Sequence, residues 1–82
     1  MLGLGIHKRL ITREKLAKEV GKRIREIREK KGISLRQFEL HENSIGRGRM
    51  SEFEDGTRLP SLHNLYKIAE ILGVKVSEII KD

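Results

Sequence analysis

A chain of 82 residues supplies one small apolar core and too little length for a core plus a deep substrate cleft. It has no cysteine, which excludes a disulfide framework and a thiolate metal site and points weakly to a reducing compartment. The formal charge of +6 is uneven: residues 1–32 hold eleven Lys/Arg against four Glu, residues 33–59 four against five acids, and residues 60–82 three against three. Such a basic segment attracts polyanions, nucleic acid above all. The Glu/Lys pairs of "REKLAKEVGKRIREIREKK" suit a solvated helix face equally well.

The opening "MLGLGIHKRLI" is apolar for only a few residues and has no apolar core followed by small residues, so it reads as neither signal peptide nor membrane span. Residues 1–11 are therefore expected to be a basic N-terminal arm, or an extension of the first helix, ahead of a domain at 12–82 in a cytoplasmic protein. From Thr12, a suitable N-cap, to about Lys31, the residues Leu16, Ala17, Val20, Ile24 and Ile27 fall within an arc of about 100° when wound as a helix. Gly21 lies beside that stripe, so one long helix and two shorter ones both fit. Gly32 stands where a terminating glycine belongs, and "SLRQ", Ser34 to Gln37, has the capping-box form that opens a second helix.

"SIGRGRMSEFEDG", Ser44 to Gly56, is read as the third helix despite two glycines, each costing a helix roughly 1 kcal/mol relative to alanine. Turning Met50 and Phe53 inward puts Gly46 on the same buried side. Gly48, Ser51, Glu52 and Asp55 then form the outer stripe, flanked by Arg47 and Arg49. In the first turn a glycine weakens the helix least and lets bare backbone approach a phosphate. The plainer alternative is that Gly46 packs tightly at the turn and Gly48 merely frays the helix start.

In "LPSLHNLYKIAEILG", Leu62, Leu65, Ile68, Ala69 and Leu72 recur at three and four between a Ser61 cap and a Gly73 stop, which predicts a fourth core helix. A short last helix is expected from Ser77. The single proline, Pro60, precedes a helix start, and no segment alternates as a strand does, so the fold class is all-α. Leu2, Leu4 and Ile6 in the arm, with Ile79 and Ile80 at the end, fall outside the core pattern and are candidates for a subunit interface. His7, His41 and His63 lack metal-ligand spacing, and no nucleophile elbow or phosphate loop occurs, so no metal, cofactor or catalytic residue is expected.

"VGKRIREIREKKGIS" and "MSEFEDGTRLPSLHNLYKIAEILGVKVSEII" resemble the helix-turn-helix family of phage repressors, Cro and xenobiotic-response-element (XRE) regulators, over residues 20–80. The S-x-x-E-x-G-x-x-x-P-S-L run, Ser51 to Leu62, is the specific part of that resemblance. It implies a five-helix, repressor-like bundle whose third helix lies in the DNA major groove. It also implies a structural ion pair between Arg28 and Glu54. The sequence departs from the family where Leu35 replaces a glutamine and Glu39 a small alanine, and where one extra residue falls near His41 to Ser44.

The resemblance and the residues together suggest a sequence-specific, DNA-binding transcriptional repressor, not an enzyme, acting as a homodimer on a palindromic double-stranded operator. Arg47, Gly48, Arg49, Ser51 and Glu52 are the candidates for base contact, Glu52 as an acceptor from cytosine N4. Arg36, Gln37, Arg58, Lys8, Arg9 and Arg13 are the candidates for phosphate contact. The acidic outer stripe of Glu52 and Asp55 favours the alternative, a protein-interaction module such as an antitoxin or coactivator with a protein partner.

Overall fold

A computed structural model describes residues 12–81; Lys8, Arg9, His7 and the interface candidates Leu2, Leu4 and Ile6 lie outside the described residues. The described residues form four α-helices, α1 (Arg13–Lys30), α2 (Leu35–Leu40), α3 (Arg47–Asp55) and α4 (Leu62–Leu72), followed by a 3-10 turn, η1 (Val76–Glu78). The short last helix expected at Ser77 is thus a single 3-10 turn. Among the described residues there is no strand, and no helix is long and apolar enough to cross a membrane.

Local chemistry sets the helix ends. The Thr12 hydroxyl accepts from Lys15 N–H at 3.1 Å, and Ser61 does the same for Asn64 at 3.1 Å. Ser34 and Gln37 form the reciprocal box, with Gln37 Oε1 accepting from Ser34 N–H at 2.6 Å and Ser34 Oγ from Gln37 N–H at 3.3 Å. Just past α1, α3 and α4 stand Gly32, Gly56 and Gly73, all with positive φ, the conformation that lets the next amides fold back onto orphan carbonyls.

Helix α1 is continuous through Gly21, and the need for a glycine there comes from α3. A Cβ at Gly21 would collide with the carbonyl oxygen of Phe53 and come within 2.8 Å of that of Glu54, so the end of α3 rests directly on the α1 backbone. Gly56 completes the crossing: a Cβ there would sit 2.7 Å from Lys18 Cγ. The core that this crossing closes contains Val20, Ile24, Phe38, Ile45, Met50, Phe53, Leu65, Ile68, Ala69, Leu72 and Ile79.

Three expectations need correction. Ile79 is a fully buried core residue, and its carbonyl accepts from Arg23 Nη1 at 3.1 Å, so it is unavailable to a partner subunit; Ile80 remains partly exposed. Leu62 has the spacing of the α4 core stripe but is 63 % exposed, because it sits in the first turn at the edge of the buried arc. Gly46 is exposed rather than inward. Ile45 fills the core position beside it, since the backbone is still extended at Gly46 and the helical phase starts one residue later.

Candidate nucleic-acid interface

The helix-turn-helix unit is α2, the turn His41 to Gly46, and α3. Phe38 is the one buried residue of α2 and pins that short helix to the core. Its carbonyl accepts from Ile45 N–H at 3.1 Å, so the turn closes back onto the helix it leaves. Within the turn, Asn43 N–H donates to His41 Nδ1 at 3.1 Å, and Asn43 Nδ2 reaches Glu70 Oε1 on α4 at 3.2 Å. These bonds give the six residues from His41 to Gly46 a defined path.

Helix α3 is anchored on one side and open on the other. Met50, Phe53 and Glu54 are buried, whereas Arg47, Gly48, Arg49 and Asp55 are exposed and Ser51 and Glu52 half-buried. The orientation is enforced by Arg28. Its guanidinium donates through Nε to Glu54 Oε2 at 2.7 Å, through Nη2 to Glu54 Oε1 at 3.0 Å, and through Nη1 to the Ile33 carbonyl at 2.9 Å. One side chain of α1 thereby holds both the turn that leads into α2 and the inner face of α3. The side-chain hydrogen bond to Glu54 and its charge raise the Arg28 pKa above the ordinary arginine value against an opposing desolvation.

The structure brings Arg47, Gly48, Arg49, Ser51 and Glu52 together on the outer side of α3, with Arg36 and Gln37 exposed at the start of α2. Arg58, in the loop after α3, donates through Nε to Glu52 Oε1 at 3.1 Å, so a residue assigned to bases and one assigned to phosphates share an ion pair. Arg47 is paired too, with Glu39 Oε1 at 3.0 Å. Among the described residues neither Arg36 nor Arg49 is in an ion pair, and Arg49 borders a shallow cleft with Ser44, Asn64 and Lys67. Arg13 is exposed at the start of α1.

Sequence reasoning noted Gly21 only as a possible break in α1 and missed its contact with α3, whose residues lie over thirty positions away. It also missed the bond of Glu39 to Arg47. The signals were a glycine inside a strong helical stripe and an acid where the resemblance expects an alanine. Neither signal names its partner.

A family model described as a helix-turn-helix domain matches residues 21–81. Among solved structures, the chain is similar to the restriction-modification controller protein C.AhdI from Aeromonas hydrophila, with 30% identity and a TM-score of 0.72. The match covers 78% of this chain and 96% of that one. No curated protein sequence matches significantly.

Proposed function

Because the chain belongs to the helix-turn-helix family of phage repressors, Cro and XRE-type regulators, we propose that it is a cytoplasmic, sequence-specific DNA-binding transcriptional repressor rather than an enzyme, with α3 inserted in the major groove. The observation that carries this reading is the front of α3. Two arginines and a glycine are exposed at the end of a helix whose other side is locked to the core by Met50, Phe53 and the Glu54–Arg28 pair. A helix anchored in this way presents its side chains to a groove without losing its own packing. Likeness to a controller protein supports the regulatory role.

In this reading Arg47, Arg49, Ser51 and Glu52 approach base edges, and Gly48 leaves room for close docking. Arg36, Gln37, Arg58 and Arg13, together with Lys8 and Arg9 of an arm at 1–11, hold phosphates around a domain at 12–82. The pairing of Glu52 with Arg58 weakens the case for a protein-binding acidic stripe, because half of that stripe is already neutralised.

A single unit of this size reads one short half-site, so the operator is palindromic and the protein a homodimer. Of the large apolar side chains left exposed among the described residues, Leu40, Leu62, Tyr66 and Ile80, the pair Leu62 and Tyr66 lies one turn apart on α4 and forms the apolar surface that suits a second copy. Selection of bound duplexes from a random library, followed by a salt titration, tests the function. The expected result is one enriched symmetric sequence whose affinity falls steeply with salt, at a slope of about −0.9 per phosphate contact on a log–log plot. No enrichment, or binding insensitive to salt, overturns it.

A further inference from the structure

The front of α3 lacks two things that helix starts ordinarily have. Its N-cap, Gly46, has no side chain to accept from the first amides, and its first turn contains no acid. It contains Arg47 and Arg49 instead, so the positive end of the helix dipole and two cations coincide. The missing acceptor comes from the preceding helix. Glu39, next to last in α2, crosses the turn and accepts from the Arg47 amide through Oε2 at 3.2 Å, while its Oε1 lies 3.0 Å from Arg47 Nε. One carboxylate therefore caps the helix and neutralises an arginine, in the place where the reading above brings a DNA phosphate or base edge.

We propose that Glu39 is a specificity-determining residue: an internal competitor for phosphate that keeps Arg47 occupied on non-cognate DNA and yields it only to the geometry of the operator. The proposal rests on the DNA-binding reading. Its logic is one of competition between an acid already in place and an acid arriving with the duplex. Non-specific complexes depend almost wholly on cations meeting phosphates. Arg47 and Glu39 are a surface pair, their side chains 59 % and 37 % exposed, so an arginine that must give up this carboxylate at 3.0 Å for a mobile phosphate gains a few-fold less than a free arginine would. A base edge or a phosphate fixed in register by the other contacts of a specific complex gains more, and Arg47 then leaves Glu39 for the DNA. The carboxylate remains as cap on the Arg47 amide, so helix α3 does not lose its start.

Glu39→Gln separates cap from charge, because the carboxamide oxygen still accepts from the Arg47 amide while the negative charge is gone. Fluorescence anisotropy on the whole 82-residue chain would compare a random-sequence duplex with the best duplex from a selection, each at several salt concentrations. With Arg47 released, E39Q should bind the random duplex several-fold more tightly with a log–log salt slope steeper by about 0.9, the value of one added phosphate contact. The selected duplex should change by less, so the ratio of the two affinities falls. Arg47→Ala supplies a test that leaves Glu39 untouched. It should cost about tenfold or more on the selected duplex, the range for one specific contact, and less than about twofold on the random one. In the E39Q background, R47A should cost affinity on both. If wild-type protein binds DNA and E39Q matches it in random-duplex affinity and salt slope, Glu39 is a helix cap alone and the proposal is wrong. If R47A weakens both duplexes equally with Glu39 present, Arg47 was never held back and the proposal is equally wrong. A wild-type chain that binds neither duplex overturns the DNA-binding reading, and the proposal falls with it.

Discussion

The Glu54 side chain is 3 % exposed, and that number decides what Arg28 is worth. A carboxylate so enclosed has lost its water and depends on the two bonds from Arg28, since its other cation, Arg25 Nε, is 3.7 Å away and more than half exposed. Arg28→Ala should therefore destabilise the fold by about 3 kcal/mol, well above the fraction of a kcal/mol typical of surface pairs. Arg28→Lys should recover little, because a single ammonium cannot make the paired donation to Glu54 and also reach the Ile33 carbonyl. A urea double-mutant cycle with Glu54→Gln checks this, and a coupling of a few tenths of a kcal/mol contradicts it. The raised Arg28 pKa has a definite sign: its stabilisation is fully present below the ordinary arginine value and fades only as pH rises through the still higher folded value. Stability between pH 6 and 9 should consequently show no titration step from this group. The pairing was legible only through the resemblance, since periodicity places both residues on stripe flanks and says nothing of which flank meets which. The bond from Arg28 to Ile33 was not legible at all, because it is made to a main-chain carbonyl that carries no sequence signal.

At the scale of elements, two glycines in helices predict opposite outcomes. Gly48 is exposed in the first turn of α3, and an added Cβ meets nothing within 4 Å. Gly48→Ala should raise stability by up to about 1 kcal/mol through helix propensity, and should lower operator affinity if that bare backbone faces DNA. Unfolding midpoint and anisotropy, measured on one preparation, check both halves; a more stable variant with unchanged affinity makes Gly48 a mere weak helix start. Gly21→Ala should lose far more than propensity returns, at least the 1 to about 3 kcal/mol of an overpacked core, because the methyl meets main-chain oxygens of α3 that cannot rotate away. The helices themselves were well written in the sequence: Thr12, Ser34 and Ser61 cap as their side chains require, and Gly32, Gly56 and Gly73 stop what precedes them. What periodicity could not supply was phase across a turn. The six residues from His41 to Gly46 follow bonds to Phe38 and Glu70, and those contacts, not the spacing of apolar residues, put Ile45 rather than Gly46 in the core.

For the molecule as a whole, the same distinction separates what packs inside from what is left for a partner. Ile79 and Leu62 exchange the roles that spacing gives them, since η1 turns the chain end inward while α4 begins outside the core. The apolar residues left exposed on α4 are Leu62 and Tyr66, about 63 % and 62 % accessible, with Tyr66 bordering a hollow that Val74 and Val76 also line. Asn64 and Lys67, by contrast, lie on the flank of α4 that borders the turn before α3. A second copy seated on Leu62 and Tyr66 would leave free the flank of α4 on which Asn64 and Lys67 meet Arg49, as a dimer reading two half-sites requires. Replacing both by glutamate introduces charges where the monomer keeps the side chains in water, so the monomer should retain its helical circular dichroism and lose little stability. Across a subunit contact the same charges face like charges and lose their water, so sedimentation should show the wild type as a dimer at micromolar concentration and the double variant as a monomer. Operator binding should then weaken by about two orders of magnitude or more, because each half-site is occupied without the benefit of the other, whereas affinity for a single half-site should stay the same. A double variant that still sediments as a dimer moves the interface elsewhere on the chain, and a wild type that is monomeric both free and on its best duplex removes the dimer altogether.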